Sequence, residues 1–166
     1  MEYQILGSSM QMLKLRLQGG ESIYADAGKI ISKSSNVNLN AKLGGGGGFF
    51  KGVEMAFAGS SAFLIECNAE GEGEISLGGG SPGKISVLDL KEGESMYVDH
   101  SAFLGTTDPS KINVKASWRG GAIGAGMFLE RFDGPCMVFL HVSGDIIEYD
   151  LTAGKSIDIE MGHIAS

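Results

Sequence analysis

Three histidines (His100, His141, His163), two cysteines (Cys67, Cys136) and an acid recurring in a matched setting (Asp26, Asp99, Glu160) have the most chemistry to offer in this chain. A zinc centre draws its ligands from closely spaced His and Cys residues. Here no two histidines stand within five residues of each other and there is no CxxC, so that spacing is absent. The H-x-H plus acid of double-stranded β-helix metalloenzymes is missing too. His100 adjoins Asp99, but neighbours on a strand point to opposite faces, so no dyad is expected between them. His163 reads as a solvated histidine.

Nucleophilic catalysis fares no better. Cys67 precedes Asn68 and Cys136 follows Pro135 near a turn, neither in a recognisable local signature. No serine elbow is identified. Two buried free thiols are the expected state of the cysteines. The repeated acids would converge on a cation or ligand if they surrounded an axis. An acid beside a Gly-Glu-Ser turn more often bonds the backbone and fixes a loop, and that role is expected. Ser22, Ser95 and Ser156 read as turn chemistry in the same way. No catalytic, cofactor-binding or metal residue is therefore assigned, and no cofactor is expected.

The elements that carry these residues alternate with period two. Leu13, Leu15 and Leu17 flank Lys14 and Arg16; Val37, Leu39, Ala41 and Leu43 flank Asn38, Asn40 and Lys42. Ile112, Val114 and Ala116 form a third row, and Ile157, Ile159 and Met161 a fourth. One face of each strand belongs in a core and the other in water, which predicts an all-β domain.

The strands recur as larger units. "LQGGESIYADAGKII" from Leu17, "LKEGESMYVDHSAFL" from Leu90 and "LTAGKSIDIEMGHIA" from Leu151 share a leucine, a glycine three residues on, a serine and an acid. "VNLNAKLGG" from Val37 pairs with "INVKASWRGG" from Ile112, and "GKISVLDL" from Gly83 with "GDIIEYDL" from Gly144. Three matches in register define an internal repeat. The expected organisation is one domain, 1–166. Residues 17–89 form the first repeat, 90–150 the second and 151–166 a partial third. A strand in 1–16 would close against that C-terminal half-unit.

The run Gly44–Gly48 invites a phosphate-binding reading, but Phe49 and Phe50 follow it and no Lys-Ser or Lys-Thr opens a helix. A glycine-rich counterpart, Arg119–Gly126, occupies the same place in the second repeat, so a structural crossing is expected. Phe49, Phe50, Val53 and Phe57 fit one face of a short helix plugging the core.

Bulk properties narrow the class. A hydrophobic content of 43% marks a globular chain, and 27 glycines beside 3 prolines mark many tight turns. A net charge of −7 makes nucleic acid an unfavourable partner. The N-terminus carries no secretory pattern, and Gly120–Leu129 is too short for a membrane span, so a cytoplasmic location is expected.

With "GESIYADAGKII", "GGGGGFFKG", "SSAFLIECNAEGEGEISL", "PGKISVLDL", "GESMYVDHSAFLG", "FLERFDGPCMVFLHVSGDIIEYDL" and "GHIAS" in order along it, the chain resembles the altered-inheritance-of-mitochondria protein family. The resemblance implies a fold like the tryptophan RNA-binding attenuation protein. Tandem β-sandwich or short double-stranded β-helix units would surround a pseudo-threefold axis, the third incomplete at Ser166. It supplies no catalytic residues. The expected function is a non-enzymatic β-repeat scaffold or protein-binding module that self-associates as a homo-oligomer. A small molecule held between β units is the alternative.

Overall fold

The computed structural model describes residues 1–41, 64–118 and 127–166. The crossing Gly44–Gly48, its counterpart Arg119–Gly126 and the helix expected from Phe49 lie outside the described residues. Every ladder between named strands is antiparallel, and the helices are single 3-10 turns, so the described chain is all-β.

The first sheet holds β1 (Glu2–Leu6), β2 (Met12–Leu17), β7 (Gly73–Gly78) and β4 (Ile30–Lys33), in that order. The second runs β5 (Val37–Ala41), β6 (Leu64–Ala69), β3 (Ser22–Asp26), β10 (Phe103–Thr106), β13 (Cys136–Ser143) and β8 (Gly83–Leu90). The third holds β11 (Ile112–Trp118), β12 (Met127–Asp133) and β9 (Ser95–Asp99). The 3-10 turn η1 (Ala27–Lys29) follows β3, η2 (His100–Ala102) follows β9, and η3 (Pro109–Lys111) follows β10.

Two cores result, and alternation explains which residue enters which. Leu13, Leu15 and Leu17 of β2 meet Ile75 and Leu77 of β7, and this face packs on Ile23, Val37 and Cys67 of the second sheet. The opposite face of β2 carries Lys14 and Arg16. Lys14 sits 2.7 Å from Glu74, and Arg16 is placed directly opposite both Glu2 and Glu74. Such exposed pairs contribute little stability. The second core gathers Val98, Phe103, Ile112, Phe132, Val138 and Leu140, with the Phe103 and Phe132 rings stacked at 5.5 Å. β10 and β13 serve both cores. Leu104 and Phe139 face the first, and their neighbours Phe103, Val138 and Leu140 the second. That is why Phe103-Leu104 and Cys136–Leu140 are apolar on successive residues instead of alternating.

Three expectations need correction. Ile157, Ile159 and Met161 alternate, yet residues 144–160 form no strand; η4 (Met161–His163) follows them. A strand exists only where a neighbour takes its backbone groups, and no described strand pairs with this segment. Leu39, placed in the inward row, is 41% exposed on edge strand β5. The N-terminal strand does not close on the C-terminal segment: β2 lies between β1 and β7, where its leucine face meets a matching apolar face.

Candidate functional site

The repeated glycines and acids build one turn three times. Gly20, Gly93 and Gly154 have φ of +85°, +86° and +83°, a backbone region that disfavours any side chain. Glu21 N–H donates to the Gln18 carbonyl, Glu94 N–H to Lys91 and Lys155 N–H to Thr152, at 2.9, 3.0 and 3.0 Å. In the first two turns the glutamate also reaches back, Glu21 Oε2 accepting from Gln18 N–H and Glu94 Oε2 from Lys91 N–H. Lys155 in the third turn has no such acceptor to offer. The acids then cap the 3-10 turns. Asp26 Oδ1 accepts from Gly28 N–H, Asp99 Oδ1 from Ser101 N–H and Glu160 Oε2 from Gly162 N–H, all within 2.9–3.0 Å. Their work is to hold backbone, as expected. Ser22 departs from the turn role: it opens β3, and its Oγ accepts from Asn68 across the ladder.

His100 has a carboxylate partner that sequence reasoning missed. Asp99 faces the turn it caps, while His100 Nδ1 lies 2.9 Å from Glu130 Oε1 on β12. The Glu130 side chain is only 5% exposed, the His100 ring 21%. Glu130 Oε2 is buried and accepts no hydrogen bond. The bond to Glu130 raises the His100 pKa above its ordinary value against the opposing effect of burial, with the charges of Glu130, Asp26 and Asp99 adding to the rise. A signal existed in the sequence. Glu130 shares its strand parity with Phe128 and Phe132, so an acid interrupts an apolar row.

The remaining candidates are structural. Burial pushes the Cys67 thiol up to about 12 and raises that of Cys136, which removes thiolate character from both. They lie in different cores. Tyr24 donates to Glu66 at 2.9 Å, and burial together with that bond pushes its hydroxyl up to about 12. His163 bonds the exposed Glu160 at 2.8 Å. Gly79-Gly80-Ser81-Pro82-Gly83 does have the G-x-S-x-G spacing of a nucleophile elbow, which corrects the expectation that none occurs. An elbow turns from strand to helix; this segment joins β7 of the first sheet to β8 of the second, and Ser81 Oγ is 2.8 Å from Ser143 Oγ. Nearby His141 is buried, its pKa lowered mainly by that burial, and its Nε2 has no partner. Among the described residues no three His, Cys, Asp or Glu side chains are grouped to hold a metal ion.

Among the sheet edges of the described residues, that of β9 stands out. β9 pairs with β12 on one side only, and on the other its last residue, Asp99, donates N–H to the Ala165 carbonyl at 2.9 Å. This contact has a counterpart inside the second sheet. β10 lies on β3 with Gly105 opposite Ala25 and Thr106 opposite Tyr24, a register that sets Leu104 against Asp26. In the aligned sequence Asp99 matches Asp26 and Ala165 matches Leu104. The C-terminal residues therefore meet β9 in the register with which β10 meets β3. Just before them, Ile146, Ile147, Tyr149, Leu151, Ile157 and Ile159 are exposed, Ile147 at 73%.

The fold is that of an all-β protein of several packed antiparallel sheets. The chain belongs to the mitochondrial biogenesis AIM24 family, whose model matches residues 3–166. It is 28% identical over 169 residues to the uncharacterised protein M6_Spy0233 of Streptococcus pyogenes serotype M6, covering 95% of this chain and 67% of the relative. The crystal structure of protein SPYM3_0169 from Streptococcus pyogenes shares the fold, with a TM-score of 0.66 and 24% identity. That match covers 87% of this chain and 65% of the other, so the present chain spans about two thirds of each.

Proposed function

We propose that this protein is a non-enzymatic scaffold built of repeated β units, which works by pairing strand edges with a second copy of itself. The observation that carries the reading is the β9 edge. Among the described residues no strand pairs with its outer side, it is met there at Asp99 in the register of an existing internal junction, and exposed apolar side chains stand near the Ala165 end in sequence. An open edge is a template for another strand, and exposed apolar surface makes pairing there favourable.

The unit reading has its own support. β2-β7-β4 and β8-β13-β10 have the same order, as do β5-β6-β3 and β11-β12-β9, and among the described residues the β3 to β10 ladder joins the two sets. A cytoplasmic location accords with two reduced, buried thiols in separate cores. No described helix is long and apolar enough to cross a membrane.

Light scattering over a wide range of concentration tests the assembly. A closed oligomer of fixed stoichiometry is expected, and a monomer at every concentration overturns the reading.

A further inference from the structure

At one buried place the two β units differ in charge as well as in size. Asp26 stands opposite Leu64 where β3 meets β6, and Ala25 opposite Ile65. Asp99 stands opposite Leu129 where β9 meets β12, and Val98 opposite Glu130. With the two aspartates matched, Glu130 occupies the position of Ile65, and His100 that of Ala27. The same backbone thus accepts an Ala–Ile pair in one unit and a His–Glu pair in the other. The fold has no need of the charged version, and a buried ion pair is seldom more stabilising than a hydrophobic pair of similar volume. What the charged version adds is sensitivity to protons near neutrality.

The pair sits where such sensitivity has an effect. η2 begins at His100, directly after the Asp99 whose N–H meets Ala165, and leads into β10, which is the bridge to β3. Among the described residues the charged groups that act on His100 are acids: Glu130 on β12, which is bonded to it, with Asp99 at the end of β9 and Asp26 at the end of β3 adding to the pull. β13, which also packs on η2, has neither Asp, Glu, Lys nor Arg. Its His141 lies on the opposite strand face from Leu140, in close contact with Gly79. When His100 is protonated, Nδ1–H donates to Glu130 and its charge balances the buried carboxylate. Without that proton, Glu130 keeps one buried oxygen with no donor and loses its counter-charge, an arrangement that favours opening to water.

We propose that His100 and Glu130 form a proton-operated clasp, which holds η2 on β12 in the protonated state and releases it, with the adjoining β9 edge, when the proton is lost. The effect on assembly rests on the edge reading above; the clasp itself does not.

The test uses the full chain. Histidine NMR titration should show His100 titrating above the ordinary histidine value, and falling to or below it in Glu130→Gln. Hydrogen exchange at Asp99 and Ser101, corrected for the intrinsic pH dependence, should lose about tenfold protection as pH rises from about 6 to about 8.5. The double variant His100→Ala/Glu130→Ile carries the residues of the other unit, so it should fold and lose this pH dependence. Ordinary titration of His100 in the unmodified chain, or unchanged pH dependence in the double variant, overturns the clasp. Light scattering at the two pH values is read separately. A monomer at both defeats the assembly reading and leaves the clasp to stand on the exchange data.

Discussion

At the residue scale the buried His141 and the half-buried His100 pull stability in opposite directions with pH. Burial lowers the His141 pKa and so favours its neutral form in the folded chain. Below the unfolded value of about 6.5, the unfolded chain takes up a proton that the native site resists, so stability falls as pH drops toward the lowered folded value. His100 has its pKa raised, mainly by the bond to Glu130. Its contribution is fully present below the unfolded value and is lost as pH rises through the folded one. His141→Gln stays uncharged throughout, so it should flatten the acid limb, and urea denaturation at about pH 5 and 7.5 would show the loss of slope. A slope as steep as that of the unmodified chain would place the acid sensitivity elsewhere. The ring is also closely packed: a Cβ on Gly79 would fall 2.1 Å from His141 Nδ1. Gly79→Ala should therefore cost about 2 kcal/mol, visible as a lowered urea midpoint.

At the element scale the repeated turns and the alternating strands β2, β5 and β11 were legible in the sequence, because each follows from a local rule. Gly20, Gly93 and Gly154 recur since a left-handed turn residue is needed at each, and the leucines of β2 alternate because one face of a strand is buried. Gly93 has nothing within 4 Å of an added Cβ, so Gly93→Ala tests conformation alone. It should cost about 1 kcal/mol and lower the melting temperature by about 3 °C, with Gly93→Asn costing less. An unchanged melting temperature would mean the turn is not held left-handed in solution. What the sequence concealed was set by tertiary partners. Ile157 and Ile159 have the strand pattern but no neighbouring strand to accept their backbone groups, and Leu39 has the inward parity but lies at a sheet edge. Glu130 and His100, thirty residues apart, meet only because β9 and β12 pair. The acid in an apolar row marked Glu130 as unusual, and nothing in the sequence pointed to its partner. Edge pairing makes its own prediction here. Asp99 N–H points away from β12, so by alternation Tyr97 N–H does too. Tyr97→Pro removes that outward donor and no bond to β12, and it should block assembly while the melting temperature changes little. Assembly that survives Tyr97→Pro would exclude this edge.

At the scale of the whole molecule, residues 144–166 are the part whose packing is unfinished among the described residues. The segment carries strand-type sequence matching β8 and β9, yet it presents six large apolar side chains to solvent. Its recorded ties to the two cores are few. Gly144 N–H donates to Pro82, Asp145 lies 3.6 Å from Lys84, and Asp99 N–H donates to Ala165. Neither core draws a residue from it. Removing residues 144–166 should therefore leave the sheets intact, with the far-ultraviolet circular dichroism of an all-β protein and a urea midpoint close to that of the full chain. The consequence for assembly is opposite. Exposed apolar surface of this extent drives association, and the segment supplies both that surface and the chain that meets the β9 edge. The shortened chain should be a monomer by light scattering at concentrations where the full chain is oligomeric. If it still associates with the same stoichiometry, the contact lies elsewhere, and edge strand β1, with Tyr3 and Ile5 exposed, is where the interface would next be sought. If it unfolds, the segment contributes to the cores through contacts stronger than those few bonds, and its exposed apolar residues are covered in the intact molecule.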